Sequence, residues 1–134
     1  MKQELITLAR HRITRARECL IEAGHLMDSG GYRGAINRFY YGAFYAARAL
    51  LALKELDSAR HSGIISLFQA SFVKAGVFDV DKARALPRAF EKRQKTDYSD
   101  YATVTKEEAE AVGREVAAFI DESENVLERI LDTP

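Results

Sequence analysis

Between Tyr32 and Lys54 the chain reads YRGAINRFYYGAFYAARALLALK, and two side-chain chemistries recur there at helical steps. Arg38, Tyr41, Tyr45 and Arg48, with Asn37 one residue to the side, fall three and four residues apart, which places them in one stripe along a helix. A guanidinium is a rigid fork of donors suited to phosphate or carboxylate oxygens. A phenol adds a ring face and an O–H. Such a stripe on a nearly apolar helix is a candidate surface for a nucleotide or RNA. The structural alternative is that these groups satisfy one another, with Asp97 as an ion partner for Arg38. His61, whose imidazole can titrate near neutrality, is a separate candidate. Its neighbours suggest a helix start, where free N–H groups attract anions, although a capping or packing role is the simpler expectation. His11 and His25, on the first helix, are weaker candidates.

These side chains must be held by the rest of the chain. In the same stretch Ile36, Phe39, Tyr40, Ala43, Phe44, Ala47, Leu50 and Leu51 share one broad face, which predicts a buried helix over Tyr32 to Lys54 or Leu56. Gly34 and Gly42 inside it mark a close approach, of another backbone, a ligand or a packed helix. Before it, Leu5, Leu8, Ile13, Ala16, Leu20, Ala23 and Met27 predict an amphipathic helix from Gln3 to about Met27, closed by Asp28-Ser-Gly-Gly31. After it, Glu55 to His61 reads as a loop and Ser62 to Lys74 as a helix stopped at Gly76. Asp81 to Lys95 predicts a basic helix that Pro87 kinks or begins. Thr96 to Tyr101 reads as a turn-rich loop, and Thr105 with Glu108 as a capping box opening a last helix to about Leu131. Arg84, Arg88, Lys92, Arg93 and Lys95 read as a solvated face. No alternating strand pattern occurs. The expectation is all-α: an up-and-down bundle of four to five helices forming a single domain over 1–134.

Twenty basic and twenty acidic side chains cancel, so no global field draws in nucleic acid and any RNA-facing surface must be local. The apolar runs are shorter than the roughly 18 residues of a membrane span, and the N-terminus lacks a signal-peptide pattern. A cytoplasmic protein with no membrane association is expected. Cys19 alone excludes an intramolecular disulfide and a multi-cysteine metal site, and its setting suits a small buried hydrophobe. No metal and no cofactor are expected.

The segments AINRFYYGAFYAARALLALK, ARHSGIISLFQASFVKAG and RAFEKRQKTDYSDY, in that order and covering nearly the whole chain, resemble the small prokaryotic HEPN-domain proteins. The resemblance implies a helical bundle, a homodimer with the second helix near its interface, and a partner: a minimal nucleotidyltransferase acting with it as a toxin–antitoxin pair. Active members are metal-independent ribonucleases in which an arginine, followed by a polar residue, precedes a histidine at four to six residues' separation. Histidine moves the proton of an RNA 2′-hydroxyl while arginine holds the phosphate.

Arg38 is matched to that arginine, but residue 39 is Phe, and Ala43, Phe44 and Tyr45 occupy the histidine positions. A phenol with an ordinary pKa of about 10 is a poor base at neutral pH. The leading expectation is therefore a nucleotide- or RNA-binding HEPN protein of a HEPN and nucleotidyltransferase module, in which Asn37, Arg38, Tyr41, Arg48, Arg93, Asp97, Tyr98 and Tyr101 form the binding set. The alternatives are an active endoribonuclease using Arg38, His61 and Tyr45, and a catalytically silent protein-interaction bundle. Tyr98 and Tyr101, in the expected loop, are the tyrosines that the resemblance offers for modification.

Overall fold

Residues 1–133 are described by a computed structural model, and their regular structure is entirely helical. Helix α1 spans Gln3–Asp28 and α2 spans Tyr32–Leu53; α3, His61–Phe68, runs on into a π-turn over Gln69–Val73. A four-residue α4, Val80–Ala83, is followed by α5, Ala85–Tyr98, and α6, Lys106–Asp132. No helix among the described residues is long and apolar enough to cross a membrane.

Helix ends follow from local chemistry. After α1, Gly30 takes φ +80° and the Gly31 N–H returns to the Leu26 carbonyl at 2.7 Å. That left-handed turn suits glycine and satisfies a carbonyl at the helix end. The end of α2 makes the same turn with Glu55 at φ 56°, closed by Leu56 N–H to the Leu51 carbonyl at 3.1 Å. Asp79 caps α4, accepting from the Lys82 N–H at 2.9 Å. The run expected from Asp81 is divided at Arg84 into α4 and α5, so Pro87 marks the start of the longer helix. It occupies the first turn, where no N–H is needed. Thr105 caps α6 through a bond from the Glu108 N–H at 3.1 Å, yet the Glu108 carboxylate bonds Lys92 at 2.9 Å instead of closing the box.

Two expectations are corrected. The segment expected to be a loop from Thr96 continues as helix through Tyr98, because Thr96 Oγ bonds the Lys92 carbonyl at 2.8 Å and Asp97 pairs with Arg93 one turn back at 3.0 Å. On α1, Leu8 stands 39% exposed, and Ala9 takes the inward position.

Helix α2 lies at the centre, packed on α1, α3, α5 and α6. Its expected inner face is buried in full, from Ile36 to Leu51. Phe68, Phe72, Phe78 and Phe119 form a second aromatic cluster with ring centres 5.0–5.7 Å apart. Burying such side chains stabilises by about 1.5–3 kcal/mol each. Exposed ion pairs such as Arg10–Glu128 at 2.6 Å contribute roughly 0–1 kcal/mol, so the core decides the fold.

The α1–α2 seam is made of small side chains. Ala9, Ala16, Cys19 and Ala23 face Ala35, Gly42, Ala46 and Ala49, all buried. A Cβ on Gly42 would stand 3.3 Å from Ile120 Cδ1 and 3.4 Å from the Ala16 carbonyl oxygen, so the close approach at Gly42 is helix packing. A Cβ alone would touch the Ala16 carbonyl at van der Waals distance, and the branches of a larger side chain must displace Ile120 or the α1 backbone. Gly42→Val should therefore lower stability by about 1–3 kcal/mol, more than the small helix-propensity gain over glycine returns. An unchanged or higher midpoint in chemical denaturation would overturn this account of the seam.

Candidate functional site

The antiparallel seam aligns α1 with the arginine and tyrosine stripe of α2. Arg12 donates to the Arg48 carbonyl at 3.1 Å, Arg15 lies over the Tyr45 ring at 5.4 Å, and Glu22 approaches Arg38 at 3.7 Å. On the other side, α5 lays Arg93 over Tyr40 and Tyr41 at 5.3 and 5.2 Å, and α3 inserts His61. Arg38 covers Tyr41 at 5.0 Å and Arg48 covers Phe44 at 5.7 Å. Tyr40, Tyr41, Phe44 and Tyr45 thus form a continuous aromatic row in which each ring meets at least one guanidinium, a geometry that attracts the cation to the ring face.

Each guanidinium also carries an outer carboxylate. Arg15 bonds Glu18 at 3.2 Å, Arg38 has Glu22 together with Asn37 Oδ1 at 2.9 Å, Arg48 bonds Asp57 at 3.2 Å, and Arg93 bonds Asp97 at 3.0 Å. The expected Arg38–Asp97 pair is not formed: α5 holds Asp97 one turn from Arg93, which takes it. The Glu18, Glu22 and Asp57 side chains are 50–59% exposed, so an incoming anion can replace them without unfolding anything.

The most confined part lies around Arg48 and His61. Arg48 Nε is a buried side-chain polar atom with no partner among the described residues. Burial, and then the Arg48 charge, lowers the affinity of Arg12 for its proton. Against the burial that would raise it, the Ser58 N–H and Arg48 hold the Asp57 carboxyl below the usual carboxylate range. His61 stacks on Phe44 at 4.4 Å with 14° between planes, and its Nδ1 lies 2.7 Å from the hydroxyl of fully buried Tyr40. Burial first, then the positive charges of Arg93 and Arg48, depress the His61 pKa below 6.5. Burial pushes the Tyr40 phenol up.

Of the expected site residues, Asn37, Arg38, Tyr41, Tyr45, Arg48, His61, Arg93 and Asp97 meet on this strip. Arg38 and His61 both contact the Tyr41 ring. The two have no direct bond to each other; Arg93 and Arg48 are the arginines whose charges act on His61. Tyr45 has the rings of Tyr41 and Phe44 as neighbours, and no bond to His61. Tyr98 and Tyr101 stand off the strip, 82% and 94% exposed. His11 and His25 lie exposed on α1. Cys19 is buried, its thiol pushed up by burial, as a small hydrophobe would be.

Sequence reasoning missed Tyr40 and Phe44, which count as core by period yet form the back of the site, and Arg12, Arg15, Glu22 and Asp57. It also missed Arg33, whose guanidinium bonds the Thr96 and Ala102 carbonyls and so fastens the segment carrying Tyr98 and Tyr101 to the start of α2. One signal was readable. Arg93 is followed by polar Gln94, as Arg38 is not, although Tyr98, Ser99 and Asp100 hold the positions where a histidine would stand.

Among the described residues no three His, Cys, Asp or Glu side chains gather so as to hold a metal ion. The chain matches the HEPN domain over residues 9–126 and belongs to that family. The matched span contains every residue of the strip. A UPF0332 protein of Thermotoga maritima is 34% identical over 127 residues, 95% of this chain and 94% of the relative. Two proteins of Methanocaldococcus jannaschii are also similar. "Putative toxin MJ0605" is 35% identical over 87% of this chain and 86% of its own length, and "Putative toxin MJ0142" is 32% identical over 86% and 78%.

A neutral histidine held between two arginines has a stability signature. The unfolded chain binds a proton on His61 at about pH 6.5, and the folded chain binds it only at lower pH. The contribution to stability is therefore complete above about pH 6.5 and is lost as pH falls through the depressed folded value. The drop in denaturation midpoint from pH 7.5 to pH 5.5 should be smaller in His61→Asn, whose amide can still meet the Tyr40 hydroxyl. Equal drops in the two proteins would show that His61 is not held neutral.

Proposed function

We propose that the protein binds nucleotides or single-stranded RNA on this strip, as the HEPN component of a toxin–antitoxin module paired with a nucleotidyltransferase, in the cytoplasm and as a homodimer. The observation that carries the binding reading is the row of four aromatic rings, each faced by a guanidinium that is neutralised only by an outer carboxylate. Bases stack on exposed tyrosine and on guanidinium planes, and phosphate oxygens replace carboxylate oxygens on arginine with similar geometry. Tyr41 and Tyr45 are half-buried and supply the part of the row that a ligand can reach. Arg38, Arg48 and Arg93 supply the phosphate contacts.

The toxin part of the reading is supported by the names of the two Methanocaldococcus jannaschii relatives. The dimer and the nucleotidyltransferase rest on the family resemblance. The single domain over 1–134 is supported by one hydrophobic cluster that takes residues from α1 to α6. Ribonuclease activity is the second reading, favoured by His61 lying on the same rings as Arg93 and Arg38. It ranks below binding because His61 Nδ1 is engaged by Tyr40 and because Tyr45 stands apart from His61.

Fluorescence anisotropy of a labelled single-stranded RNA tests binding. Tyr41→Ala should weaken it about 5- to 100-fold, the equivalent of one stacked base at about 1–3 kcal/mol. Arg93→Ala should act in the same direction, while Arg10→Ala, on the α1–α6 side, should have no effect. Wild-type affinity in both strip variants, with both folded, would remove the strip from function. Cleavage of a mixed RNA pool in the presence of a chelator, giving 2′,3′-cyclic phosphate ends that His61→Ala abolishes, would promote the ribonuclease reading.

A further inference from the structure

Tyr40 and His61 are joined by a bond that the binding reading leaves unused. Tyr40 has no exposed surface, and its hydroxyl has one polar partner among the described residues, His61 Nδ1 at 2.7 Å. A phenol buried among apolar groups keeps its proton, as the upward push on Tyr40 indicates, and a buried O–H needs an acceptor. If Nδ1 were itself protonated, two donors would face each other or the phenol proton would have no acceptor. The phenol therefore donates to Nδ1. In a neutral imidazole one nitrogen accepts and the other carries the proton, so the proton sits on Nε2.

The rest of the ring's surroundings direct that proton outward. His61 Nε2 has no partner among the described residues and is not among the fully buried unpartnered side-chain atoms, so this half-buried ring keeps some solvent access at Nε2. The stack on Phe44 fixes the ring plane, with Phe90 at 6.4 Å and the Tyr41 edge at 5.9 Å closing the sides. Arg48 lies over Phe44, the ring on which His61 stacks, and Arg93 lies over Tyr40, the ring whose hydroxyl His61 takes, and both charges disfavour a second proton on the imidazole. The outcome is an N–H of fixed direction near two guanidinium groups.

We propose that Tyr40 locks His61 as the Nε2–H tautomer and that His61 uses this N–H to hold a phosphate group of the ligand, between Arg48 and Arg93. Tyr40 is then a positioning residue, acting through His61, and His61 is a phosphate-binding donor in place of a proton acceptor. The inference rests on the strip being a nucleotide or RNA site. The phosphate is the monoester of a mononucleotide or the diester of an RNA backbone.

Long-range ¹H–¹⁵N correlation spectra of the histidine rings test it, in the free protein and with two probes: adenosine 5′-monophosphate, and a hexauridylate lacking terminal phosphates. In the free wild type at pH 7.5, His61 should show a protonated Nε2 and an unprotonated Nδ1, and Tyr40→Phe should show a mixture of tautomers. A protonated Nδ1 in the wild type would overturn the lock whatever the strip binds. On addition of probe, His61 Nε2 and Arg93 Nε should shift together, and the probe that moves them assigns the phosphate as monoester or diester. If Arg93 Nε shifts while His61 Nε2 stays, the strip binds and the proposed donor role is wrong. If neither probe moves either resonance, both the donor role and the binding reading fall.

Affinity provides an independent check. Tyr40→Phe should weaken the active probe about 3- to 10-fold, the scale of one hydrogen bond to a charged group lost in part. His61→Gln, which keeps an N–H near the Nε2 position but is no base, should bind more tightly than His61→Ala. Equal loss in His61→Gln and His61→Ala would overturn the donor role.

Discussion

Everything at the strip depends on how closely α1 and α2 approach each other. Ala9, Ala16 and Ala23 recur at seven-residue steps on one helix, and Ala35, Gly42 and Ala49 do so on the other. At Gly42 a Cβ would already be in contact with the Ala16 carbonyl oxygen, at 3.4 Å. Two helices this near have a single comfortable register, because sliding by one turn would drive a larger side chain into the gap. That register sets Arg12 against Arg48, Arg15 against Tyr45, Cys19 against Gly42, Glu22 against Arg38 and Leu26 against Gly34. The functional surface is the outer margin of a packing seam.

Where the seam opens, the polar chemistry is under-satisfied. The orphaned Arg48 Nε and the lowered proton affinity of Arg12 are costs of crowding two guanidinium groups with one carboxylate, Asp57. A buried donor without a partner costs about 1–3 kcal/mol. Departures of this kind concentrate where a surface is shaped for something other than stability, and here the departure falls beside His61.

The parts visible in the sequence were those governed by period and by single caps. The inner face of α2, the Thr105 cap and the glycine stops at Gly30 and Gly76 follow from local rules, and the structure has them where those rules place them. The site was half visible. Arg38, Tyr41, Tyr45 and Arg48 lie on one helix, so their spacing brings them together. Arg15 and Glu22 looked like ordinary solvent-facing residues of α1, and Arg93, though expected in the binding set, had no expected partner ring, since nothing local says which neighbour a long side chain will reach. Asp97 was given the wrong arginine for the same reason. The extension of α5 to Tyr98 is also held by Arg33, sixty-three residues away in sequence, which takes the Thr96 carbonyl, a contact no local rule shows. The π-turn at Gln69–Val73 has no signal in residue type that we can identify.

The pairing of the four ring-facing arginines, Arg15, Arg38, Arg48 and Arg93, with outer carboxylates has a consequence for how a ligand would arrive. Opposite charges a few ångströms apart cancel beyond about one Debye length, roughly 8 Å at physiological ionic strength, and the chain as a whole is neutral. A polyanion drifting past therefore meets almost no attractive field until it touches the surface. On the binding reading proposed above, capture occurs by short-range exchange of one anion for another and not by electrostatic guidance.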